Sequence, residues 1–503
     1  MGNSRFPILL VAALVCGLGV PHTAGALTLA QHAQVCQNDA RVIAGVVPLD
    51  VCVGANIFFR ETFNGNGRTC ATCHRVERNF AIDPEFIATL PRTDPLFIAE
   101  FNPALANLER PVQMRAFGLI LENVDGTQPD PNIRFVLRSV PHNLSMGVSI
   151  TTPGGATTPP VERTGWSADG APGQGRLADF TNGAIGQHFT RRLNRVPGVD
   201  FRVATEDEGQ RVALFMRELG RKNDISLPAV GFSDAGAENG RQRFLAVGCN
   251  GCHNNAGANS GGGENNLGNV NRNFNTNVEA ARNGALAGFP LDGGLGATPA
   301  NPNGSFGDLT FNSTPLIEAA DTGPFFHTDT TVSGAPAFNA QSANTIEEAS
   351  AFYATPAFAN RPGGNGQPLA MNAADITNIG RFLRATNAIF NAQMAFKRLQ
   401  GSQGVGNRFA NNQLAVQQRL LVLARVEVDD ALEVLRGAPG GVINPAQVAR
   451  LEFARSTIAA AATNNNFTSR MNQIGVALNE LDMADDGIAA NVNFTIGAGT
   501  LMD

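Results

Sequence analysis

Lysine, tryptophan and tyrosine are almost absent from this chain of 503 residues. Lys222 and Lys397 are the only lysines, and the net charge is −6 at pH 7. A nucleic-acid-binding protein needs a basic stripe on its surface, so this composition excludes nucleic acid as a partner. It also argues against a lysine-ringed docking face for an acidic protein, since any such face would have to be built from arginine.

Long apolar runs are also scarce, and the clearest one lies at the N-terminus. Arg5 precedes an apolar stretch over residues 6–20, and small residues at 24–26 are typical of a signal-peptidase site. We therefore predict that residues 1–26 are a secretory signal peptide and that the protein is periplasmic or secreted. No later run approaches the roughly 20 apolar residues of a spanning helix, so no membrane span is expected.

A lipid anchor on Cys16 is the alternative interpretation of this segment. Leu14 and Val15, directly before Cys16, are poor residues for a lipobox, which favours simple export.

Four of the seven cysteines form two C-x-x-C-H pentapeptides, Cys70–His74 and Cys249–His253. This spacing is the attachment motif for c-type haem, because two thiols bond to the haem vinyl groups and the adjacent imidazole binds the iron. A zinc or redox C-x-x-C is the alternative, but a zinc site would need more histidines nearby. The sequence thus predicts two covalently bound haem c groups, held by Cys70, Cys73, His74, Cys249, Cys252 and His253.

Cys36 and Cys52 remain once the haem motifs and the signal peptide are set aside. An even pair in an oxidising compartment predicts a disulfide, which would clamp the segment before the first motif. Two unpaired buried thiols are the alternative.

Helical periodicity dominates the rest of the chain and predicts a mainly α fold. We expect an N-terminal cytochrome c domain over residues 27–240, a C-terminal cytochrome c domain over 241–387 and a helical extension over 388–503, with long loops inside both domains. Individual helices are predicted over residues 53–63, 206–221, 413–436 and 445–462.

The stretch Ile57–His74 is the most specific in the chain. It resembles the first haem segment of the bacterial di-haem cytochrome c peroxidase and MauG family, in which a similar aromatic helix and Gly-Asn-Gly turn lead into the motif. Pro324–His327, Thr345–Tyr353 and Asp375–Leu383 resemble the second domain of that family, in the same order. In the turn Asn64–Gly67, Asn and Gly tolerate the positive φ that a tight turn requires.

Tyr353 is the only tyrosine, and the resemblance gives it a role at the second haem. The peroxidases carry a Met at this point, and MauG-type enzymes carry a Tyr, as the second axial ligand of the iron. We expect Tyr353 to be that ligand, with Met371 as the alternative if the Tyr hydroxyl bonds elsewhere. The family places His327 near the second haem without binding iron, and ligation by His327 is the other alternative.

Trp166 is the only tryptophan and resembles the Trp that lies between the two haems of the family. The resemblance implies that it couples them electronically, and a packing role is the alternative.

The surroundings of the first haem depart from the peroxidase pattern. No His occurs between His74 and His142, where the peroxidases carry the His that caps the resting iron, and the acid that follows the Trp is not in place. The segment 176–189 instead resembles the rubber oxygenases, a branch of the same superfamily, and this implies that Phe180 lines the distal pocket. His188 and His142 are each either a distal base, a sixth ligand or a hydrogen-bonded structural residue.

The function implied by these resemblances is exported redox catalysis. The first expectation is a peroxidase or MauG-like enzyme that reacts with hydrogen peroxide at the first haem, with Trp166, Phe180 and His188 as catalytic residues and a small redox protein as electron partner. A dioxygenase that cleaves polyisoprene or another apolar organic substrate is the second expectation, and a non-catalytic electron carrier is the third. Whether this chain binds the calcium ion of the family is left open, since Ser139 replaces the Asn that helps to hold that ion.

Overall fold

The structure is a computed structural model that describes residues 27–106, 108–122, 135–150, 176–257, 273–282, 284–289, 291–294, 309, 311–327 and 343–503. Helix accounts for 59% of the described residues and strand for 6%, which confirms the mainly α fold class. Not one of the described helices has the length and apolar character needed to cross a membrane. The predicted signal peptide and Trp166 lie outside the described residues.

The α-helices range from single turns to one of 37 residues. In chain order they are α1 (Leu29–Gln37), α2 (Ala40–Ile43), α3 (Leu49–Arg60), α4 (Pro84–Thr89), α5 (Ile98–Phe101), α6 (Pro111–Phe117), α7 (Met146–Ser149), α8 (Leu177–Ala184), α9 (Glu206–Arg217), α10 (Ala235–Ala246), α11 (Ile346–Phe352), α12 (Pro356–Ala359), α13 (Ala373–Phe409), α14 (Leu414–Arg436), α15 (Pro445–Thr463) and α16 (Phe467–Ile488).

Strands form only short antiparallel pairs within the described residues. The pairs are β1 (Leu119–Glu122) with β2 (Val136–Ser139), β3 (Gly231–Phe232) with β6 (Ala489–Ala490), and β4 (Asn273–Phe274) with β5 (Phe311–Asn312).

Helices occur in all four places where periodicity predicts them, as α3, α9, α14 and α15. The N-terminus of α9 is fixed by local sequence, since Thr205 and Glu208 form a reciprocal capping box. Two features differ from expectation. Helix α13 passes without a break through the boundary predicted at 387/388, and α16 was not predicted.

Cys36 and Cys52 join α1 to α3 as a disulfide, with their Cα atoms 5.7 Å apart. The predicted clamp therefore fixes the N-terminal helix to the helix that leads into the first motif.

The helix that leads into each C-x-x-C-H motif crosses a later helix at a glycine. A Cβ on Gly54 of α3 would lie 1.9 Å from the Arg211 carbonyl oxygen in α9. A Cβ on Gly240 of α10 would lie 1.8 Å from the Asn378 carbonyl oxygen in α13. The two halves of the chain thus share one device for close helix packing, because only hydrogen fits at each crossing.

The C-terminal segment returns to the first half of the chain. The Gly220 amide donates to Thr500 Oγ1 at 3.1 Å, and the Lys222 amide donates to the Thr495 carbonyl at 2.8 Å. Arg41 in α2 forms a salt bridge of 2.7 Å with Asp503. The extension is therefore packed along the N-terminal half up to its last residue.

The turn before the first motif is held against a distant segment. Asn64 and Gly67 adopt φ of 51° and 95°, as the turn prediction requires, and Phe63 joins them at 51°. The Asn66 amide donates to the Phe189 carbonyl at 2.7 Å. A Cβ on Gly65 would lie only 2.0 Å from that same carbonyl oxygen, so the two backbones touch.

We predict that Gly65→Ala destabilises the protein by about 1–3 kcal/mol, the usual cost of forcing an extra methyl group into a filled space. Urea unfolding followed by circular dichroism measures the change. Gly475→Ala is the matched control, since a Cβ there meets nothing within 4 Å. Equal stabilities of the two variants would contradict the close approach of residues 65 and 189.

Candidate functional site

The first motif site comprises Cys70, Cys73 and His74. Residues Cys70–Thr72 form a short 3₁₀ turn, and the His74 amide donates to the Cys70 carbonyl at 3.0 Å. The imidazole Nδ1 lies 2.8 Å from the Phe80 carbonyl oxygen, which can only accept, so Nδ1 carries the proton. Burial lowers the pKa of His74 to about 4. The ring is therefore neutral and its Nε2 lone pair is available to a metal.

The second motif site, Cys249, Cys252 and His253, repeats this geometry. Cys249–Gly251 form the 3₁₀ turn, the His253 amide donates to the Cys249 carbonyl at 2.9 Å, and Nδ1 donates to the Thr314 carbonyl at 2.8 Å. Burial lowers the pKa of His253 to about 4 as well. Both histidines thus present Nε2 with its orientation fixed by a backbone carbonyl.

The four motif thiols are not joined as disulfides. Burial raises the pKa of Cys70 and of Cys249 to about 12, and that of Cys73 to about 11. A redox C-x-x-C needs the opposite shift, toward an accessible thiolate. Within the described residues, no group of three or more His, Cys, Asp or Glu side chains could hold a metal ion. The raised thiol pKa values therefore argue against a redox C-x-x-C.

A cavity of about 650 Å³ opens at the second motif site and is lined mostly by apolar groups. This volume lies in the usual range of cofactor pockets, about 300–1,000 Å³. The cavity brings together the second motif and the three side chains that sequence suggested as axial ligands. These residues are Cys249, Cys252, His253, Tyr353, Met371 and His327.

Tyr353 follows the last residue of α11, and its ring packs edge-on against Phe358 with centroids 5.0 Å apart. Burial raises the pKa of the Tyr353 hydroxyl, and the nearby Cys252 and Cys249 add to the effect. A phenolate there would need a positive partner, which a ferric iron could supply.

His327 is held by a polar and an aromatic neighbour. Its Nε2 lies 2.5 Å from Glu279 Oε1, and its ring stacks on Phe311 with centroids 3.9 Å apart. This arrangement favours the structural role over iron ligation.

Residues 138–142 lie between the two motif sites. All five line the cavity of the second site, and the Pro141 carbonyl lies beside His74 of the first. His142 is buried, which lowers its pKa to about 4 and keeps it neutral, and Glu318 and Arg221 are its charged neighbours. Ser139 donates from Oγ to the Phe326 carbonyl at 3.1 Å, so it links the segment to the second half directly.

The turn that follows α8 brings His188 to the first motif site, and Phe180 lies earlier, on α8 itself. Phe180 packs against the main hydrophobic core, and His188 lies in a π-helical turn, Ile185–Phe189, close enough to His74 to disfavour its protonated form. Such turns are frequent at functional sites. Asp179 forms an ion pair with Arg176, whose Nη2 lies 2.7 Å from Asp179 Oδ1. Asp179 therefore does not serve as the acid missing from this segment.

Glu109 supplies an acid that sequence reasoning missed. Its Oε1 lies 3.1 Å from His188 Nδ1 and 2.5 Å from Arg68 Nη1, and its side chain is 1% exposed. Arg68, two residues before the motif, could have indicated that a buried carboxylate was needed, but no local pattern marks Glu109 as that partner.

The chain matches no protein-family model, and neither the curated proteins nor the solved structures contain a significant match.

Proposed function

We propose that this protein is an exported di-haem c-type oxidoreductase that reduces hydrogen peroxide at the first motif site, with electrons arriving through the second. The observation that carries the haem assignment is the repeated geometry of His74 and His253, each neutral and bonded through Nδ1 to a backbone carbonyl. Unpaired motif thiols and the apolar cavity at the second site fit the same group. A bound haem would supply the redox-active iron.

The chain's own residues would hold that group and control its surroundings. The motif cysteines would bond to it, and the carbonyls of Phe80 and Thr314 would keep each proximal imidazole in place. Next to His74 lies a cluster of aromatic rings that exclude water: Phe58, Phe59, Phe80 and Phe215. His188 is the polar residue placed to take a proton from peroxide. Reduction of peroxide to two waters takes two electrons and two protons, and the electrons would come from a small redox protein.

The second site would pass these electrons on without reacting itself. Tyr353 would complete the coordination of its iron, and a hard anionic ligand of this kind stabilises the ferric state. The segment 138–142 would join the sites, since Pro141 lies beside His74 and His142 lines the second cavity.

A dioxygenase acting on an apolar alkene is the second candidate, and the position of Phe180 is what favours it. Phe180 lies on α8, directly ahead of the turn that carries His188, and packs into the core as an apolar wall. Peroxide ranks first because the Glu109–His188 pair provides proton transfer, which cleavage of a hydrocarbon double bond does not need.

The reaction class is tested by mixing the full-length holoprotein with peroxide and with oxygen plus polyisoprene, and by recording both turnover and the haem spectrum. Turnover of peroxide is the expected result. Cleavage of polyisoprene without peroxide turnover would favour the dioxygenase. If neither occurs and exogenous ligands bind neither iron in any redox state, the chain is an electron carrier.

Haem attachment is tested with cysteine variants. We expect Cys249→Ala with Cys252→Ala to leave one covalent haem per chain, at residues 70–74, because thioether bonds cannot form without the thiols. Denaturing electrophoresis with haem staining and mass spectrometry count the haems. The reciprocal double variant of Cys70 and Cys73 is the matched control and should leave the other haem. Two haems surviving in either variant would refute the assignment.

Axial ligation is tested at Tyr353. We expect Tyr353→His to give the second haem a low-spin spectrum with two imidazole ligands and to change its reduction potential. Met371→Leu is the control in the same cavity and should leave the spectrum unchanged. A spectrum altered by the Met371 variant alone would make Met371 the ligand.

The distal wall is tested at Phe180. We expect Phe180→Ala to lower peroxide turnover on the order of tenfold, because water enters and the substrate is less well positioned, while both haems stay attached. Phe453→Ala, at a phenylalanine of α15 that is 53% exposed, is the control and should retain full turnover. Steady-state kinetics under equal haem loading compares them, and equal rates would remove Phe180 from the pocket.

A further inference from the structure

Arg68 is a buried cation whose donors are nearly all committed. Its Nε donates to the Pro95 carbonyl at 3.0 Å, Nη2 donates to the Leu96 carbonyl at 2.6 Å, and Nη1 meets Glu109 Oε1 at 2.5 Å. Both side chains of the ion pair are 1% exposed. Arg68 therefore fixes the position of the Glu109 carboxylate with respect to the first motif site.

His188 is fixed both by its backbone and by its ring. The His188 carbonyl accepts from Asn66 Nδ2 at 2.9 Å and from Arg68 Nη1 at 3.3 Å. The ring Nδ1 meets Glu109 Oε1 at 3.1 Å. Burial raises the pKa of Glu109, but Arg68 and His188 together outweigh burial and hold that pKa below its usual range. An ionised carboxylate only accepts, so Nδ1 carries a proton, and in the neutral ring Nε2 is the acceptor nitrogen.

The Glu109 carboxylate joins Arg68 and His188 through one atom. Here a single oxygen, Oε1, takes both Arg68 and His188, while Oε2 has no hydrogen-bond partner among the described residues. Glu109 thus bonds to an imidazole as well as to a guanidinium, and this second partner points to a role beyond neutralising Arg68.

We propose that Glu109, held by Arg68, is the positioning residue that sets His188 as the proton acceptor of the first motif site. The proposal rests on the proposed function and identifies the residues that position its proton acceptor. A proton leaves the O–H of peroxide for His188 Nε2, the hydroperoxide anion remains, and the new imidazolium charge is balanced by Glu109. The same transfer applies to hydrogen cyanide, which must lose its proton before cyanide binds to ferric iron.

Cyanide is the probe, because its binding reports the proton acceptor without any redox step. Stopped-flow spectroscopy on the full-length holoprotein would compare the wild type with Glu109→Gln and His188→Gln. We expect each variant to bind cyanide about 10²-fold more slowly, the lower range for loss of an acid–base group. The double variant should be no slower than the slower single variant, because the two residues act as one unit.

Glu427→Gln is the matched control. Glu427 forms a similarly buried ion pair with Arg398, at 2.7 Å and with 3% and 1% exposure, but no histidine takes part. Its cyanide rate should equal that of the wild type, even if its stability falls as much as that of Glu109→Gln. Should Glu109→Gln fail to fold, Glu109→Asp keeps the charge and withdraws it from the ring, and a slowed rate there supports the proposal.

Two results would overturn the proposal. A wild-type cyanide rate in the folded Glu109 variants, with a slow rate in His188→Gln, would reduce Glu109 to a structural partner of Arg68. A resting spectrum that changes from low-spin to high-spin in His188→Gln would make His188 an iron ligand rather than a base. If cyanide binding depends on both residues but peroxide is not turned over, the positioning role is supported and peroxide is the wrong substrate.

Discussion

A contact between two backbones, at Gly65 and Phe189, underlies the first motif site. The glycine precedes the motif by a few residues, and the carbonyl belongs to the turn that carries His188. Because no side chain fits between them, the segment holding the proximal His74 and the segment holding His188 are fixed to one another. The side-chain amide of Asn66 completes this connection. The chemistry proposed for the site depends on that fixed separation.

The second site has a different character, which matches its proposed role. Its cavity is lined mostly by apolar groups, and the proposed ligand Tyr353 is partly buried against the rings of Phe352 and Phe358. Its His327 is bonded to Glu279. The first site thus presents a histidine held by a carboxylate, and the second presents a mostly apolar cavity, and this difference is consistent with the proposed division into a reactive and an electron-transferring site.

The C-terminal helices are packed against both halves of the chain. Helix α13 crosses α10 near its start, and further along it packs against α14 and α16. The final residues then return to the N-terminal half, where Arg41 binds Asp503 and Gly220 binds Thr500. Loss of the extension would therefore expose surface in both halves of the chain.

The sequence by itself determined what depends on neighbours along the chain. The two motifs, the turn with its positive φ values and the periodic helices are readable from local spacing and residue type, because their physical causes lie within one or two turns. The Cys36–Cys52 pair follows instead from the cysteine count and the expected compartment. Only the tertiary structure decided which side chains meet across long separations. Glu109 reaches Arg68 over 41 residues and His188 over 79, and no periodicity records such a pairing. A buried arginine must find a carboxylate, but which one it finds is set by the packing of the whole core.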